Sequence, residues 1–210
     1  KDAQKIVSSL EKYISHIESG KSARSLDSTD LDLEAVSDLY LLTSKPILYV
    51  CNVDENAMKS GNKHVDDVKK VIKDEDAEIL LIATAIESEI AELDDFEEQQ
   101  MFLEEMGLEK PGVHHLIKAT YKLLNLQTYF TAGVKEVRAW TITKGMKAPQ
   151  AAGVIHTDFE KGFIRAEVIS YNDFSTLESE LSCKESGKMK VQGKDYIVKD
   201  GDVMHFLFNV

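Results

Sequence analysis

A polar tetrapeptide follows the first strongly apolar segment of the chain. Residues 47–51 (ILYVC) form an uninterrupted apolar run, and residues 52–55 (NVDE) come directly after it. Such a run is typical of a strand that is buried on both faces of a parallel sheet. Because ligands of open α/β sheets bind at the carboxyl ends of the strands, the side chains of this tetrapeptide are candidates for ligand contact.

Asn52 and Glu55 have the chemistry to read a purine base. An Asn amide can both donate to and accept from the N7 and exocyclic groups of a purine. Most GTPases carry Asn-Lys-x-Asp at this place, and the Asp accepts from two guanine N–H groups; here Val53 replaces the Lys and Glu55 the Asp. The longer Glu displaces the carboxylate, and a misplaced acceptor costs on the order of 1–3 kcal/mol. This predicts a weakened preference for guanine, with adenine tolerated or favoured; the alternative is a polar turn after a strand.

A second apolar run, residues 79–83, predicts another buried strand, which ends in the small residues Ala83, Thr84 and Ala85. Small side chains there would let backbone N–H groups approach a base edge, although a tight strand-to-helix turn explains them equally well. Helical patterns separate and follow the two strands at residues 65–72, 86–92, 95–106 and 113–124. This alternation of strands and helices predicts an α/β domain.

Different patterns flank this α/β region. Residues 2–19 carry an apolar stripe with helical spacing, and apolar residues resume over 33–40, which predicts two antiparallel helices joined by a polar loop. After Asn125, partly alternating segments predict a small mixed sheet crossed by one helix at 149–160. The predicted strands of that sheet are 128–130, 137–142, 163–169, 189–191, 196–198 and 203–208.

Basic and aromatic residues interleave around the second of these strands. They are Lys135, Arg138, Trp140, Lys144 and Lys147. Basic groups beside aromatic rings can hold phosphates and stack bases, so these five residues are a candidate RNA-binding set. The alternative is that the aromatic ring packs on the sheet and the charged groups are solvated.

Several other kinds of site are excluded by motif and spacing. Gly20-Lys21-Ser22 ends like a phosphate-binding loop, but it follows a helix and lacks the Gly that this motif needs five residues earlier. Neighbours on a helix, such as His114 and His115, point in different directions and do not share a metal ion. No catalytic constellation and no metal site is therefore predicted.

The composition indicates a cytoplasmic protein in a reducing compartment. The two cysteines, Cys51 and Cys183, are too few for a disulfide framework, and Cys51 is predicted to be a buried thiol. No apolar stretch is long enough to span a membrane, and we expect no signal peptide. Residues 1–126 carry the whole excess of 12 negative charges, so only the remainder of the chain could meet RNA without strong repulsion.

Three segments resemble a known family. KPILYVCNVDE (45–55) resembles the base-recognition strand of the YchF subfamily of Obg-like ATPases, in which Asn-x-x-Glu replaces Asn-Lys-x-Asp. Residues 126–174 resemble the start of that subfamily's TGS domain, and GKDYIVKDGDVMHFLFNV (193–210) resembles its end. The likeness covers nearly the whole chain.

The resemblance implies three domains. Residues 1–44 would close a coiled-coil helical insertion, residues 45–125 would form the second half of a P-loop GTPase-like α/β domain, and residues 126–210 would be a TGS domain, an α+β fold of the ubiquitin-like β-grasp type. Asn52 and Val53 would contact the base, and the turn 83–85 would close its pocket.

The resemblance also implies an activity. Family members hydrolyse ATP, often in preference to GTP, with Mg²⁺, and they associate with ribosomes and tRNA-related machinery. The phosphate loop, the switch regions and the Mg²⁺ ligands would precede Lys1, so we expect this chain alone to bind nucleotide weakly and to hydrolyse none. The alternative is a non-enzymatic module that binds RNA or protein through the TGS domain.

Overall fold

The computed structural model describes residues 2–73, 75, 77–133 and 135–209, which form two compact units that divide between Leu123 and Leu124. Residues 1 and 210, the outer ends of the predicted domain ranges, lie outside the described residues. The first unit is rich in helices around a pair of strands, and the second is built on a larger sheet.

The first unit contains six α-helices and two strands within its described residues. In chain order they are α1 (Asp2–Glu18), α2 (Asp30–Val36), β1 (Leu48–Asn52), α3 (Lys63–Val71), β2 (Glu78–Ile82), α4 (Thr84–Glu92), α5 (Phe96–Glu105) and α6 (Gly112–Leu123). Of the second predicted helix, only the part up to Val36 is α-helical. A 3₁₀ turn, Ser37–Leu39, follows, and Tyr40 then adopts a left-handed conformation with φ of 48°, which ends the helical segment.

The strands β1 and β2 pair in parallel, from Leu48 opposite Glu78 to Asn52 opposite Ile82. The prediction that β1 is buried on both faces is wrong for the chain as described, because Val50 is 46% exposed and Cys51 is half-buried. A sheet of two strands leaves each strand with one unpaired edge, so apolar side chains that suit the interior of a larger sheet remain partly open. Both cysteines are free thiols.

A buried carboxylate joins α1 to α2. Asp32, in the first turn of α2, is 2% exposed, and its Oδ1 accepts a hydrogen bond from Ser9 Oγ at 2.6 Å. Its Oδ2 accepts from the backbone N–H of Thr29 at 3.1 Å and from Thr29 Oγ1 at 2.8 Å, and Lys12 Nζ lies 3.1 Å from both oxygens. Hydrogen bonds from Ser9 and Thr29, followed by the bond from Lys12, hold the pKa of Asp32 far below its usual value. An ionised Asp32 therefore stabilises the contact between α1 and α2.

Acid should loosen this helix pair. Because the folded-state pKa of Asp32 is depressed, its contribution to stability is complete above the unfolded pKa of about 4 and is lost as the pH falls below that value. Thermal unfolding followed by circular dichroism between about pH 6 and about pH 3 should show a smaller loss of stability in Asp32→Asn than in the parent chain, because the variant has already lost this contribution. The exposed Asp27, changed to Asn, is the matched control. Equal pH dependence in the Asp32→Asn variant and the parent would contradict the assignment.

The second unit contains a five-stranded sheet. Its elements are β3 (Leu126–Ala132), β4 (Val137–Thr143), α7 (Ala148–Ile155), α8 (Thr157–Lys161), β5 (Phe163–Ser170), α9 (Tyr171–Leu177), α10 (Glu180–Glu185), β6 (Lys190–Gln192) and β7 (Asp202–Phe208). The strand order is β4-β3-β7-β5-β6, in which β3 and β7 are parallel and the other neighbours are antiparallel. The mixed sheet predicted from the sequence is thus present.

Three details of this unit differ from the sequence-based expectation. The helix predicted at 149–160 is broken at His156, which is extended (φ −160°, ψ 141°) and whose Nδ1 accepts from the backbone N–H of Asp158 at the start of α8. The segment 196–198 makes a single bridge, Ile197 to Lys147, and is not a regular strand. The short helices α9 and α10 were not predicted; each begins after a serine, Ser170 or Ser179, whose side chain accepts from a backbone N–H of the first turn.

Alternating side chains of the sheet form two apolar clusters. On one face, Tyr129, Ala166, Val168, Met204 and Phe206 pack with the alanines of α7. On the other, Ile169 and Val203 pack with Cys183 of α10 and with partly buried residues of α9. A sheet that is apolar on both faces needs helices on both faces, which is why helices follow β5. The sequence pattern predicts only one helix across this sheet.

Tyr129 links the sheet to α7 through a buried hydrogen bond. Its side chain is 0% exposed, and its hydroxyl donates to the backbone carbonyl of Ala151 at 2.9 Å. Burial raises the pKa of Tyr129, so the phenol stays a donor.

Removing that hydroxyl should destabilise the second unit. Tyr129→Phe keeps the ring but leaves the Ala151 carbonyl without its partner, which costs about 1–2 kcal/mol. The free energy of unfolding, measured with urea, reports this loss. Tyr171→Phe, at an exposed tyrosine, serves as the control, and an equal effect of the two variants would show that the buried bond is not the cause.

Candidate functional site

The carboxyl ends of β1 and β2 are joined by a side-chain contact. Asn52, the last residue of β1, accepts two hydrogen bonds at Oδ1: one from the backbone N–H of Thr84 at 3.1 Å and one from Thr84 Oγ1 at 3.0 Å. Thr84 is the first residue of α4, which begins two residues after β2 ends. The parallel register sets this meeting, because Asn52 lies opposite Ile82 and the backbone N–H of Val53 donates to the carbonyl of Ile82 at 2.9 Å.

This contact fixes which way the Asn52 amide faces. With Oδ1 directed at Thr84, the amide NH₂ points away from it, and the NH₂ group has no hydrogen-bond partner among the described residues. In this arrangement the donor half of the Asn52 amide is the half available to a base, and contact between Asn52 and a base stays a prediction. Both lone pairs of Oδ1 are engaged, so the free group of Asn52 is a donor, which suits an acceptor such as a purine N7.

The other candidate residues surround this pair unevenly. Val53 is half-buried and continues the strand pairing, whereas Ala83 is almost fully buried between β2 and α4. Thr84 and Ala85 are exposed in the first turn of α4. Among these residues, Thr84 hydrogen-bonds Asn52, and Ala83 packs in the interior with residues of α4 and α5.

Glu55 lines a cleft on the surface of the first unit. It is the first residue of a 3₁₀ turn, Glu55–Ala57, and the carboxylate of Asp54 accepts from the backbone N–H of Ala57 to hold that turn. The cleft has a volume of about 250 Å³ and is lined by Glu55, Asn56, Met58, Lys59, Glu105, Met106 and Leu108. The sequence did not indicate the contribution of residues 105–108; the one local signal is Gly107, whose φ of 64° turns the chain after α5.

A carboxylate from α4 binds the start of α6. Glu87 Oε1 accepts from the backbone N–H of Gly112 at 2.6 Å, and Oε2 accepts from the backbone N–H of Val113 at 3.1 Å. A negative side chain satisfies the unpaired N–H groups and the positive dipole end of that helix. A side chain at residue 112 would collide with Glu87, since an added Cβ would lie 2.8 Å from Oε1. Sequence reasoning missed this role of Glu87.

A second polar cluster supports β1 from its side. Tyr49 donates from its hydroxyl to Glu75 Oε2 at 3.1 Å, and Arg24 Nη2 donates to the same oxygen at 2.8 Å. The hydrogen bond from Arg24 lowers the pKa of Glu75, and the bond to Glu75 raises the pKa of Tyr49. These residues connect the segment before β1 with the residues before β2.

The Thr84 hydroxyl should restrain the Asn52 amide. Thr84→Val removes one of the two donors to Oδ1 and should lower the order parameter of the Asn52 side-chain amide, measured by ¹⁵N relaxation. The accompanying loss of stability should be about 1 kcal/mol or less. Thr84→Ser keeps a hydroxyl and should retain the parent behaviour. An unchanged order parameter in Thr84→Val would mean that the backbone N–H alone fixes the amide.

The five candidate RNA-binding residues do not form one cluster. Arg138 stacks on Trp140, with its guanidinium carbon 4.2 Å from the ring centroid, and the indole N–H donates to Thr131 Oγ1 at 2.9 Å. Lys144 follows the other end of β4, which at about 3.3 Å per residue is about 20 Å from Arg138.

The remaining two lysines of that set lie at opposite ends of the strand. Lys135 is exposed just before β4. Lys147, beyond the other end, is paired with Asp195 at 2.7 Å. Arg138 and Trp140, on the edge strand β4, therefore remain the part of the set that can contact a base and a phosphate together.

Among the described residues, no group of three or more His, Cys, Asp or Glu side chains is arranged to hold a metal ion. The helices of the described ranges include none that is both long and apolar enough to cross a membrane.

Comparison with known proteins identifies relatives along the full length. A family model named YchF-GTPase_C, described as "Protein of unknown function (DUF933)", matches residues 126–209. The chain is 53% identical over 210 residues to the ribosome-binding ATPase YchF of Escherichia coli O157:H7, covering 100% of this chain and 57% of that protein. It is 54% identical over 203 residues to the Bacillus subtilis (strain 168) protein of the same name, covering 96% and 55%.

A solved structure shares the fold. The structure of the Schizosaccharomyces pombe YchF GTPase matches with a TM-score of 0.82 and 35% sequence identity, over 98% of this chain and 54% of that one. The protein is thus of the α/β class with mixed sheets seen in that GTPase. More particularly, the chain is similar to YchF proteins along its whole length, which confirms the resemblance seen in the sequence. It spans a little over half the length of these relatives.

Proposed function

We propose that this chain is the base-recognition and TGS part of a cytoplasmic, ribosome-associated, nucleotide-hydrolysing switch protein of the YchF family. The nucleotide would be ATP in preference to GTP, bound with Mg²⁺. The relatives named as ribosome-binding ATPases support the class. The observation that carries the proposal is the contact between Asn52 and Thr84, which leaves an amide donor at the carboxyl ends of two parallel strands.

In this proposal Asn52 donates to the purine N7, which adenine and guanine share. Asn52 therefore selects for a purine and leaves the choice between the two bases to other groups. Val53, Ala83, Thr84 and Ala85 supply the walls and backbone of the pocket. Glu55 then determines which purine is preferred. Guanine offers two N–H donors on the edge that a carboxylate reads, whereas adenine offers no matching pair.

The same proposal predicts that the 210 residues alone bind nucleotide weakly and hydrolyse none. Neither a G-x-x-x-x-G-K-[ST] sequence nor an Asp-x-x-Gly suited to a Mg²⁺ site between strand and helix occurs among them. Phosphate and metal contacts contribute much of the affinity for a nucleotide, so this chain would bind the base edge weakly and hydrolyse nothing by itself. Hydrolysis would require the whole protein, including its phosphate loop and switch regions.

Shortening Glu55 should move selectivity toward guanine. In the whole protein, Glu55→Asp should change the ratio of ATP to GTP affinity by about tenfold in favour of GTP, which corresponds to about 1.4 kcal/mol. Competition between labelled ATP and GTP measures the ratio. Glu97→Asp, the same change on the exposed surface of α5, is the control. If Glu55→Asp leaves the ratio as it was, Glu55 does not read the base.

The second candidate function is a non-enzymatic module in which residues 126–210 form a TGS domain that binds RNA or protein. The strand order β4-β3-β7-β5-β6, with β3 and β7 parallel in the centre and α7 across one face, supports a β-grasp assignment. The exposed Arg138 stacked on Trp140 favours an RNA partner, which could be tRNA or ribosomal RNA. The two candidates differ at Asn52 and Glu55, because only the nucleotide switch requires base selectivity there.

A further inference from the structure

The second unit contains a polar cavity at the opposite edge of its sheet from β4. The cavity has a volume of about 140 Å³ and lies beside β6. It is lined by Val168, Ser170, Asp173, Lys188, Lys190, Gln192, Tyr196, Lys199 and Asp202. A water molecule occupies about 30 Å³ in the liquid, so the space exceeds what one water needs. The lining thus includes three lysines and two aspartates, whose partners are described in turn below.

Both carboxylates of the cavity are satisfied by groups of the chain itself. Asp173 is held by Lys188, whose Nζ is 3.0 Å from Oδ1, and by the hydroxyl of Ser170, which donates to Oδ2 at 2.7 Å. The hydrogen bond from Ser170, followed by that from Lys188, lowers the pKa of Asp173, so it is ionised and its charge is balanced by Lys188.

Asp202 is satisfied in a different way. It is 5% exposed, and its Oδ2 accepts from the Tyr196 hydroxyl at 2.7 Å and from the backbone N–H of Lys199 at 2.9 Å. Burial, followed by the hydrogen bond to Asp202, raises the pKa of Tyr196, which keeps this hydroxyl a donor. Both of these donors are neutral, and they occupy one of the two carboxylate oxygens.

Two ammonium groups at the cavity make no direct hydrogen bond or close ion pair with the described residues. Lys190 begins β6, and Lys199 lies just before the turn into β7. In the part of the chain that the structure describes, neither side chain makes a hydrogen bond or an ion pair. Asp173 is paired with Lys188 and is also within electrostatic reach of Lys190, so three lysines face two carboxylates and the cavity carries a net positive charge.

We propose that this cavity binds a phosphate group, with Lys190 and Lys199 as its ligands. Ammonium groups are common phosphate ligands, and the side-chain amide of Gln192 adds a neutral donor on the same strand as Lys190. The phosphate is carried either by an RNA backbone or by a small anion such as pyrophosphate. The proposal goes beyond base recognition at Asn52 and does not depend on it.

The site is distinct from the Arg138–Trp140 pair. The strands β4 and β6 form the two edges of the five-stranded sheet, and four strand spacings of about 4.8 Å separate them by about 19 Å. An RNA strand bound at both edges would cross one face of the sheet, whereas a small phosphate would occupy the β6 cavity alone.

The experiment titrates the 210-residue chain with three probes: inorganic phosphate, pyrophosphate and a fluorescent single-stranded RNA oligonucleotide. Backbone amide shifts of Lys190, Gln192 and Lys199 report phosphate and pyrophosphate binding by NMR, and anisotropy reports RNA binding. Lys190→Gln and Lys199→Gln should each weaken binding at least threefold, and the double variant at least tenfold. In the RNA arm, each variant should also reduce the slope of log K against log salt by about 0.7.

Two further variants separate a phosphate site from a merely structural ion network. Lys194→Gln, in the same loop but outside the cavity, should leave binding unchanged. Asp173→Asn removes an opposing charge and frees Lys188, so it should strengthen phosphate binding, which a structural role would not do. Binding of pyrophosphate but not RNA assigns the site to a small anion, and the reverse assigns it to RNA. Absence of saturable binding by every probe, or equal loss in Lys194→Gln, would overturn the proposal.

Discussion

The candidate site depends on the parallel pairing that brings Asn52 and Thr84 together. Register places Asn52 opposite Ile82, so that the first turn of α4 begins next to the Asn52 side chain. Two donors of Thr84 then engage the amide oxygen and orient the amide NH₂ outward. A site that is organised before any ligand arrives loses less conformational entropy on binding. The contact between the two strand ends therefore favours ligand binding at this edge of the sheet.

Much of the first unit could be predicted from its sequence, because its signals are local. The apolar runs at 47–51 and 79–83 predict β1 and β2 to within a residue or two, and the resemblance of residues 45–55 directs attention to Asn52. The orientation of the Asn52 amide could not be predicted, since it depends on Thr84, which is distant in sequence. The burial of β1 was overestimated because an apolar composition indicates a strand fit for the interior of a sheet, whereas its exposure depends on how many strands flank it.

The second unit shows a different limit of sequence reasoning. Alternation located most of its strands, but the helices α9 and α10 are short and carry weak periodicity, so only their serine caps mark them. Residues 196–198 are as apolar as a strand, yet the chain there turns between β6 and β7 and makes a single bridge. The basic residues around β4 looked like one surface in sequence, whereas an extended strand separates Arg138 from Lys144 by most of its length.

The carboxylate of Glu87 has a mechanical consequence. Glu87 belongs to the same first turn of α4 as Thr84, and its carboxylate accepts hydrogen bonds from the first two backbone N–H groups of α6. Any ligand that displaces the turn holding Asn52 must therefore either carry the front of α6 along or break two charge-assisted hydrogen bonds. A small movement at one strand end is thereby coupled to a twelve-residue helix, Gly112–Leu123, through a single side chain.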